Sequence, residues 1–249
     1  MKEELGRLDR GNGIELAWAR LPGAGPGVVF LGGFRSDMEG TKAIALRDHC
    51  AARGQAFLRF DYAGHGTSGG AFEDGCIGDW AEDAAFLVGR LTEGPQILVG
   101  SSMGGWISLL LAKRSLVPVH ALIGIAAAPD FTERLMWPGF SAAQREALLR
   151  DGALHIESPY GPPVPLTLKL IEDGRNHLVL DAPIPLDHPV RLLQGQRDAE
   201  VPWQFALEIA AKLAGDDVQI TLIKDGDHRL SRSGDLLLLM GTVDEVSGR

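Results

Sequence analysis

Short mixed runs of apolar and polar residues, Leu5 to Arg10 and Ile14 to Arg20, flank Gly11-Asn12-Gly13, whose tolerance of positive φ suits a tight hairpin turn. They predict an antiparallel edge. From Gly27 onward the pattern changes. Apolar runs without alternation are followed by longer segments of helical period, as expected of parallel strands buried on both faces and joined by crossover helices. The runs predict strands at Val28 to Leu31, Ala56 to Asp61, Gln96 to Gly100, Ala121 to Ala126, Val190 to Gln194 and Val218 to Lys224. Helices are predicted between them, at Met38 to Arg53, Ile77 to Leu91, Met103 to Ser115, Trp203 to Leu213 and Ser233 to Val246.

The alternation breaks once. Between Pro129 and Pro189 the chain is rich in proline, with room for a hairpin around Pro159 to Pro165 and a helical patch at Ser141 to Arg150. A long segment of this kind inside a compact domain is usually functional, and a lid over a site is the common case. The expected division is a core of residues 1–128 and 190–249 with a cap inserted at 129–189.

With 249 residues, 45% hydrophobic and 23% charged, the chain can bury a large core and has the composition of a soluble globular protein. Lys and Arg number 24 against 33 Asp and Glu, and the net charge of -9 repels phosphate backbones and anionic surfaces. No nucleic acid partner is expected; a small neutral or apolar substrate fits better. Cys50 and Cys76 form no disulfide framework, and no Cys or His cluster has metal-ligand spacing, so no metal is expected. The longest apolar runs, Ala121 to Ala128 and Leu236 to Met240, are too short to span a bilayer. Met1 to Arg7 carries acids and lacks an apolar signal core, which leads to an expected cytoplasmic location.

Three glycine patterns compete for chemistry. Gly64-His65-Gly66-Thr67-Ser68-Gly69 matches a dinucleotide-binding fingerprint, but Gly70, Gly75 and Gly78 fall where its helix would have to begin. Gly66-Thr67-Ser68-Gly69-Gly70 matches G-x-S-x-G without a strand before it or a helix after it. Gly100-Ser101-Ser102-Met103-Gly104 has both: a buried strand ends in it and an apolar helix leaves it. That is a nucleophile elbow, in which glycines two before and two after the serine let strand and helix pass closely. The turn aims the Ser102 hydroxyl outward and sets the Met103 amide at a helix N-terminus, ready to donate to a developing oxyanion.

A serine needs a base, and in this topology the partners follow in the order Ser, acid, His. Asp198 follows the strand ending at Gln194, and His228 follows the strand ending at Lys224, so both stand at the sheet edge where sites of open α/β sheets form. His49, His65, His120, His155, His177 and His188 have no acid so placed. Asp225 and Asp227 remain a fallback for Asp198. The second oxyanion donor belongs to the loop after the first core strand, where Gly32 and Gly33 turn tightly and Phe34 presents its amide. One such donor contributes about 3 kcal/mol to the transition state.

These stretches carry a resemblance. Gly40-Thr41-Lys42-Ala43, Arg59-Phe60-Asp61-Tyr62, the run from Gly94 to Trp106, Ala121 to Ala126, Val201-Pro202-Trp203 and Asp227-His228-Arg229 resemble the α/β-hydrolase serine hydrolases, and within them the palmitoyl-protein thioesterases and acyl-glucuronide esterases. The resemblance covers about Gly27 to Val246. It implies the α/β-hydrolase fold, a mostly parallel sheet with helices on both faces and an inserted cap. It places nucleophile, acid and base on Ser102, Asp198 and His228, and implies hydrolysis of S-acyl thioesters and acyl-glucuronide esters without a cofactor. Two departures stand out: Gly32-Gly33 replaces the His-Gly of many relatives, and the presequence of the mitochondrial animal enzymes has no counterpart.

The expected function is therefore a serine hydrolase working through an acyl-enzyme, on a small-molecule ester or an acylated protein. Leu135, Met136, Trp137 and Phe140 of the cap are candidate acyl-pocket liners, and equally candidate core residues. The alternatives are a short-chain carboxylesterase and, from another class, a non-catalytic ligand-binding module on the same fold. No surface patch points to an oligomeric state.

Overall fold

A computed structural model describes residues 2–11, 13–158 and 161–248. The chain opens with β1 (Glu4–Asp9) and β2 (Glu15–Leu21), paired antiparallel in the register Glu4 to Arg20. Gly11 and Gly13 both have positive φ, and their amides donate to Asp9 Oδ1 at 2.8 and 3.1 Å, so an aspartate side chain closes the expected turn. Asn12 lies outside the described residues.

Core strands and helices then alternate: β3 (Ala24–Leu31), α1 (Thr41–Arg53), β4 (Gln55–Phe60), α2 (Ile77–Leu91), β5 (Gln96–Ser101), α3 (Met103–Lys113) and β6 (Val119–Ile125). An excursion follows. Residues Thr132–Met136 form a π-turn that runs into α4 (Trp137–Gly139), then come α5 (Ala142–Asp151), β7 (Ala153–Ser158), β8 (Gly161–Thr167) and α6 (Leu168–Arg175). The chain returns to the sheet with β9 (Val190–Gly195), α7 (Gln204–Lys212), β10 (Val218–Ile223) and α8 (Ser233–Ser247).

The central sheet has eight strands in the order β1-β2-β4-β3-β5-β6-β9-β10. β2 pairs antiparallel with β4, and every pairing from β4 to β10 is parallel. The reason the strands read as unbroken apolar runs is visible in their two faces. Val28, Phe30, Ile97, Val99 and Ile123 pack with residues of α1 and α8, while Val29, Leu31, Leu98 and Leu122 pack with α2, α3 and the excursion. Successive side chains of one strand thus enter opposite cores, and both demand hydrocarbon.

Two helix boundaries differ from expectation by more than one residue. The helix expected from Met38 begins at Thr41, because the Met38 amide donates to Asp61 Oδ1 at 2.7 Å and Gly40 sits in an extended conformation as the cap. The helix expected to reach Ser115 ends at Lys113, with Ser115 at a φ of 51°. In the excursion, α5 starts with a capping box between Ser141 and Gln144. The expected hairpin is there as β7 and β8, a sheet separate from the central one; Pro159 and Tyr160 lie outside the described residues.

Both ends of the excursion are clasped by one side chain. Asp130, buried and at a φ of 57°, accepts the amides of Val179 and Leu180 at 2.8 and 2.9 Å. Burial raises its carboxyl above the ordinary range, against the pull of the Leu180 and Val179 amides.

Candidate active site

Ser102 occupies the single residue between β5 and α3, at φ 52° and ψ -114°. That conformation is costly for an L-residue and persists because its surroundings fix it. The Ser102 amide donates to Ile125 O at 2.9 Å, and its carbonyl accepts from Gly105 and Ala128 at 2.9 and 3.1 Å. The flanking glycines are a steric requirement: a side-chain carbon on Gly104 would collide with the Leu31 carbonyl, and one on Gly100 with the Gly104 carbonyl.

The parallel register carries the ends of β9 and β10 to the same edge. His228 Nε2 lies 3.1 Å from Ser102 Oγ, and His228 Nδ1 lies 2.8 Å from Asp198 Oδ2. Because the carboxylate only accepts, Nδ1 carries the proton, leaving the Nε2 lone pair to take the proton of the Ser102 hydroxyl. The Asp198 side chain is 0% exposed. Its Oδ1 accepts from the Glu200 and Val201 amides at 2.9 and 2.8 Å, and its Oδ2 accepts also from Gln194 Nε2 at 3.0 Å. Burial pushes this carboxyl up, but the bond from His228 and then the amides of Val201 and Glu200 reverse the effect and hold it below the usual carboxylate range.

The loops bearing Asp198 and His228 are stacked backbone on backbone. A side-chain carbon on Gly195 would collide with the Gly226 carbonyl, and that carbonyl accepts from the Arg197 amide at 2.9 Å. The fallback acids face elsewhere. Asp227 accepts from the amides of Arg229 and Leu230, and Asp225 pairs with Arg232.

The loop after β3 runs against the elbow. A side-chain carbon on Gly33 would lie 3.5 Å from Ser102 Cβ and 3.4 Å from Ser101 O. Phe34 follows directly, its ring edge-on to Phe72, Phe131 and Trp80 at 5.0, 5.7 and 6.0 Å. Among the described residues, neither the Phe34 nor the Met103 amide donates to a protein acceptor.

Of the four expected liners, Leu135, Met136 and Trp137 are half-buried and Phe140 is buried. Trp137 stands edge-on to Phe140, and the guanidinium groups of Arg145 and Arg175 lie 5.4 and 4.7 Å from its ring. Sequence reasoning missed several neighbours. Gln194 was visible only as a strand end, and Glu200, whose Oε2 lies 3.6 Å from His228 Nε2, carried no signal. Lys42 was visible only as a motif residue; its ammonium donates to Arg229 O at 2.5 Å, beside the base. Burial, then Arg229, pulls Lys42 down to about 8, against Asp227 and Asp235.

The alpha/beta hydrolase family model matches residues 28–238 of this chain, the stretch that holds the strained Ser102 turn. The chain belongs to the alpha/beta hydrolase family. This hydrolase is 39% identical over 247 residues to a mouse protein named mitochondrial palmitoyl-protein thioesterase, covering 98% of this chain and 83% of the relative. Among solved structures it is similar to alpha/beta hydrolase domain-containing protein 10 from mouse, with a TM-score of 0.89, 37% identity and 98% of each chain covered. It is also similar to a putative hydrolase from Agrobacterium vitis S4, with a TM-score of 0.93, 39% identity and 99% and 98% of the two chains covered. The cytoplasmic expectation is overturned here: the curated relatives are all named mitochondrial. The composition of the first residues was the wrong guide, because an address is read by a receptor and leaves no mark on the folded domain.

Proposed function

We propose that this hydrolase cleaves carboxylic ester and thioester bonds with Ser102 as nucleophile, His228 as general base and Asp198 as the acid that orients it. The observation that carries the reading is the unbroken chain from Ser102 Oγ through both nitrogens of His228 to a buried Asp198. His228 takes the Ser102 proton as Oγ attacks the acyl carbon. The tetrahedral oxyanion is held by the Met103 amide at the start of α3 and the Phe34 amide beside it. The imidazolium then protonates the departing thiol or alcohol. Water, deprotonated by His228, attacks the acyl-enzyme and frees the acid.

The kinship with enzymes named palmitoyl-protein thioesterases supports S-acyl thioesters, palmitoyl-cysteine among them, as the substrate class; acyl-glucuronide esters are the second group, on the sequence resemblance alone. The segment 129–189 is the cap, and Leu135 and Met136 are its best liners, since the cationic cover over Trp137 makes that ring less suited to an acyl chain.

The test is kcat/KM for matched esters and thioesters from short to palmitoyl chains, with an acyl glucuronide alongside and Ser102→Ala as the blank. Each buried methylene contributes up to about 0.8 kcal/mol, roughly fourfold, so a deep acyl pocket gives a steep climb with length. A climb on thioesters supports the depalmitoylase reading; a flat or falling series makes the protein a short-chain carboxylesterase. A fluorophosphonate probe that leaves Ser102 of the folded protein unlabelled overturns catalysis altogether.

A further inference from the structure

The glycine-rich loop that follows β4 has no part in the chemistry above, yet it holds a histidine with an unusual set of contacts. His65 is 3% exposed, and its ring stands edge-on to Trp80, Phe72 and Tyr62 at 5.0, 5.2 and 5.5 Å. Both of its nitrogens are engaged. Nδ1 lies 3.2 Å from the Ala63 carbonyl, which only accepts, so the proton sits there. Nε2 is then a lone pair, and the Arg35 amide donates to it at 3.2 Å. Burial lowers this imidazole to about 4, so it is neutral at physiological pH and the lone pair is retained.

Arg35 follows Phe34, whose amide is one of the two assigned to the oxyanion. It has a φ of 58°, a conformation that a non-glycine residue keeps only under constraint. Ser36 closes the turn internally, its amide and hydroxyl both donating to the Gly33 carbonyl at 3.1 and 2.8 Å. The loop is tied to β4 and the segment after it: His65 holds the Arg35 amide, Asp61 takes the Met38 amide, and Arg59 of β4 donates to the Met38 carbonyl at 2.7 Å. The Phe34 ring meets Phe72 and Trp80, the same rings that enclose His65. The His65 ring is therefore fixed by its wall of aromatics and passes that fixity to the backbone one residue from the oxyanion donor.

The geometry points to His65 as the positioning residue of the oxyanion hole, its Nε2 lone pair holding the Arg35 amide and thereby the direction of the Phe34 N–H. This rests on the assignment of Phe34 in the proposed mechanism. It also gives the Gly64 to Gly69 run a purpose: glycines at 64 and 66, both at positive φ, bring the backbone of this loop close to Phe72 and to the Asp61 carboxylate.

The variant that isolates the role is His65→Phe, which keeps an aromatic ring and removes the acceptor; His65→Gln restores an acceptor without the ring. The readouts are kcat and KM on a short ester, and the inhibition constant of a trifluoromethyl ketone, which forms the tetrahedral oxyanion on Ser102. The expected result for His65→Phe is a kcat lower by about 10- to 100-fold, a KM within twofold and ketone affinity weakened in proportion to kcat. His65→Gln recovers part of both. A His65→Phe enzyme with wild-type kcat, or one that loses kcat while binding the ketone as tightly as before, overturns the proposal. Should His65→Phe fail to fold, hydrogen exchange of the wild-type Arg35 amide decides: protection supports the proposal, and free exchange at neutral pH overturns it. Failure of the mechanism itself would look different, as hydrolysis by Ser102→Ala equal to that of the wild type.

Discussion

Gln194 and His228 share one oxygen: both donate to Oδ2 of Asp198, at 3.0 and 2.8 Å. Oδ1 is filled by two backbone amides, so the buried carboxylate has four donors and no freedom to turn. Asp198→Asn places an amide where only acceptors fit and favours the wrong His228 tautomer. The expected loss in kcat is about 10⁴-fold, as for the equivalent change in the serine-protease triad, with the fold retained. Steady-state kinetics with a circular dichroism control checks it. Gln194→Leu leaves the tautomer intact and should cost about tenfold or less.

Lys42 sets a stability dependence at alkaline pH. Its folded value near 8 lies below the ordinary 10.5, so between these values the unfolded chain holds a proton that the folded chain has released. Stability contributed at this site therefore rises with pH across that window, and the cost of burying the charge is fully present below about 8. Denaturant unfolding of wild type against Lys42→Met should show the wild type gaining relative stability from pH 8 to 10. A constant difference would sink the account.

Two glycine-to-alanine changes should have opposite signs. Gly104→Ala drives a methyl into the Leu31 carbonyl, a backbone atom of the neighbouring strand, and is expected to destabilise by more than about 2 kcal/mol and to abolish Ser102 labelling. Gly89→Ala, inside α2 with open space around the added carbon, should stabilise by up to about 1 kcal/mol. Thermal melts of both variants test the pair.

Asp130→Ala removes the acceptor for two buried amides, Val179 and Leu180, and places alanine at a positive φ. A loss of about 2 to 4 kcal/mol is expected, with limited proteolysis cutting first within residues 129–189. Asp130→Asn, which tolerates that backbone and keeps one acceptor, should be milder.

The sheet, the helices and the elbow were legible because their signals are local: apolar runs such as Gln96 to Val99, helical period, and glycines flanking Ser102. Chain order then led to Asp198 and His228. What the sequence hid are contacts between distant loops. His65 and Arg35 are 30 positions apart, and Asp130 and Leu180 are 50. No periodicity encodes such pairs, since the backbone donors at Arg35, Val179 and Leu180 could belong to any residue type. Met38 failed for a related reason: it is apolar and buried, so it fits the helical pattern, but the carboxylate that takes its amide lies 23 positions on.

The backbone contact between Gly195 and Gly226 has a mechanical consequence. The segments that bear Asp198 and His228 are hinged to each other where β9 and β10 end, and a displacement of either drags the other along. The serine hangs from a different strand and helix. A shift of this sheet edge would therefore keep Asp198 and the His228 imidazole in step and change the 3.1 Å gap to Ser102, the joint across which the proposed mechanism moves its first proton.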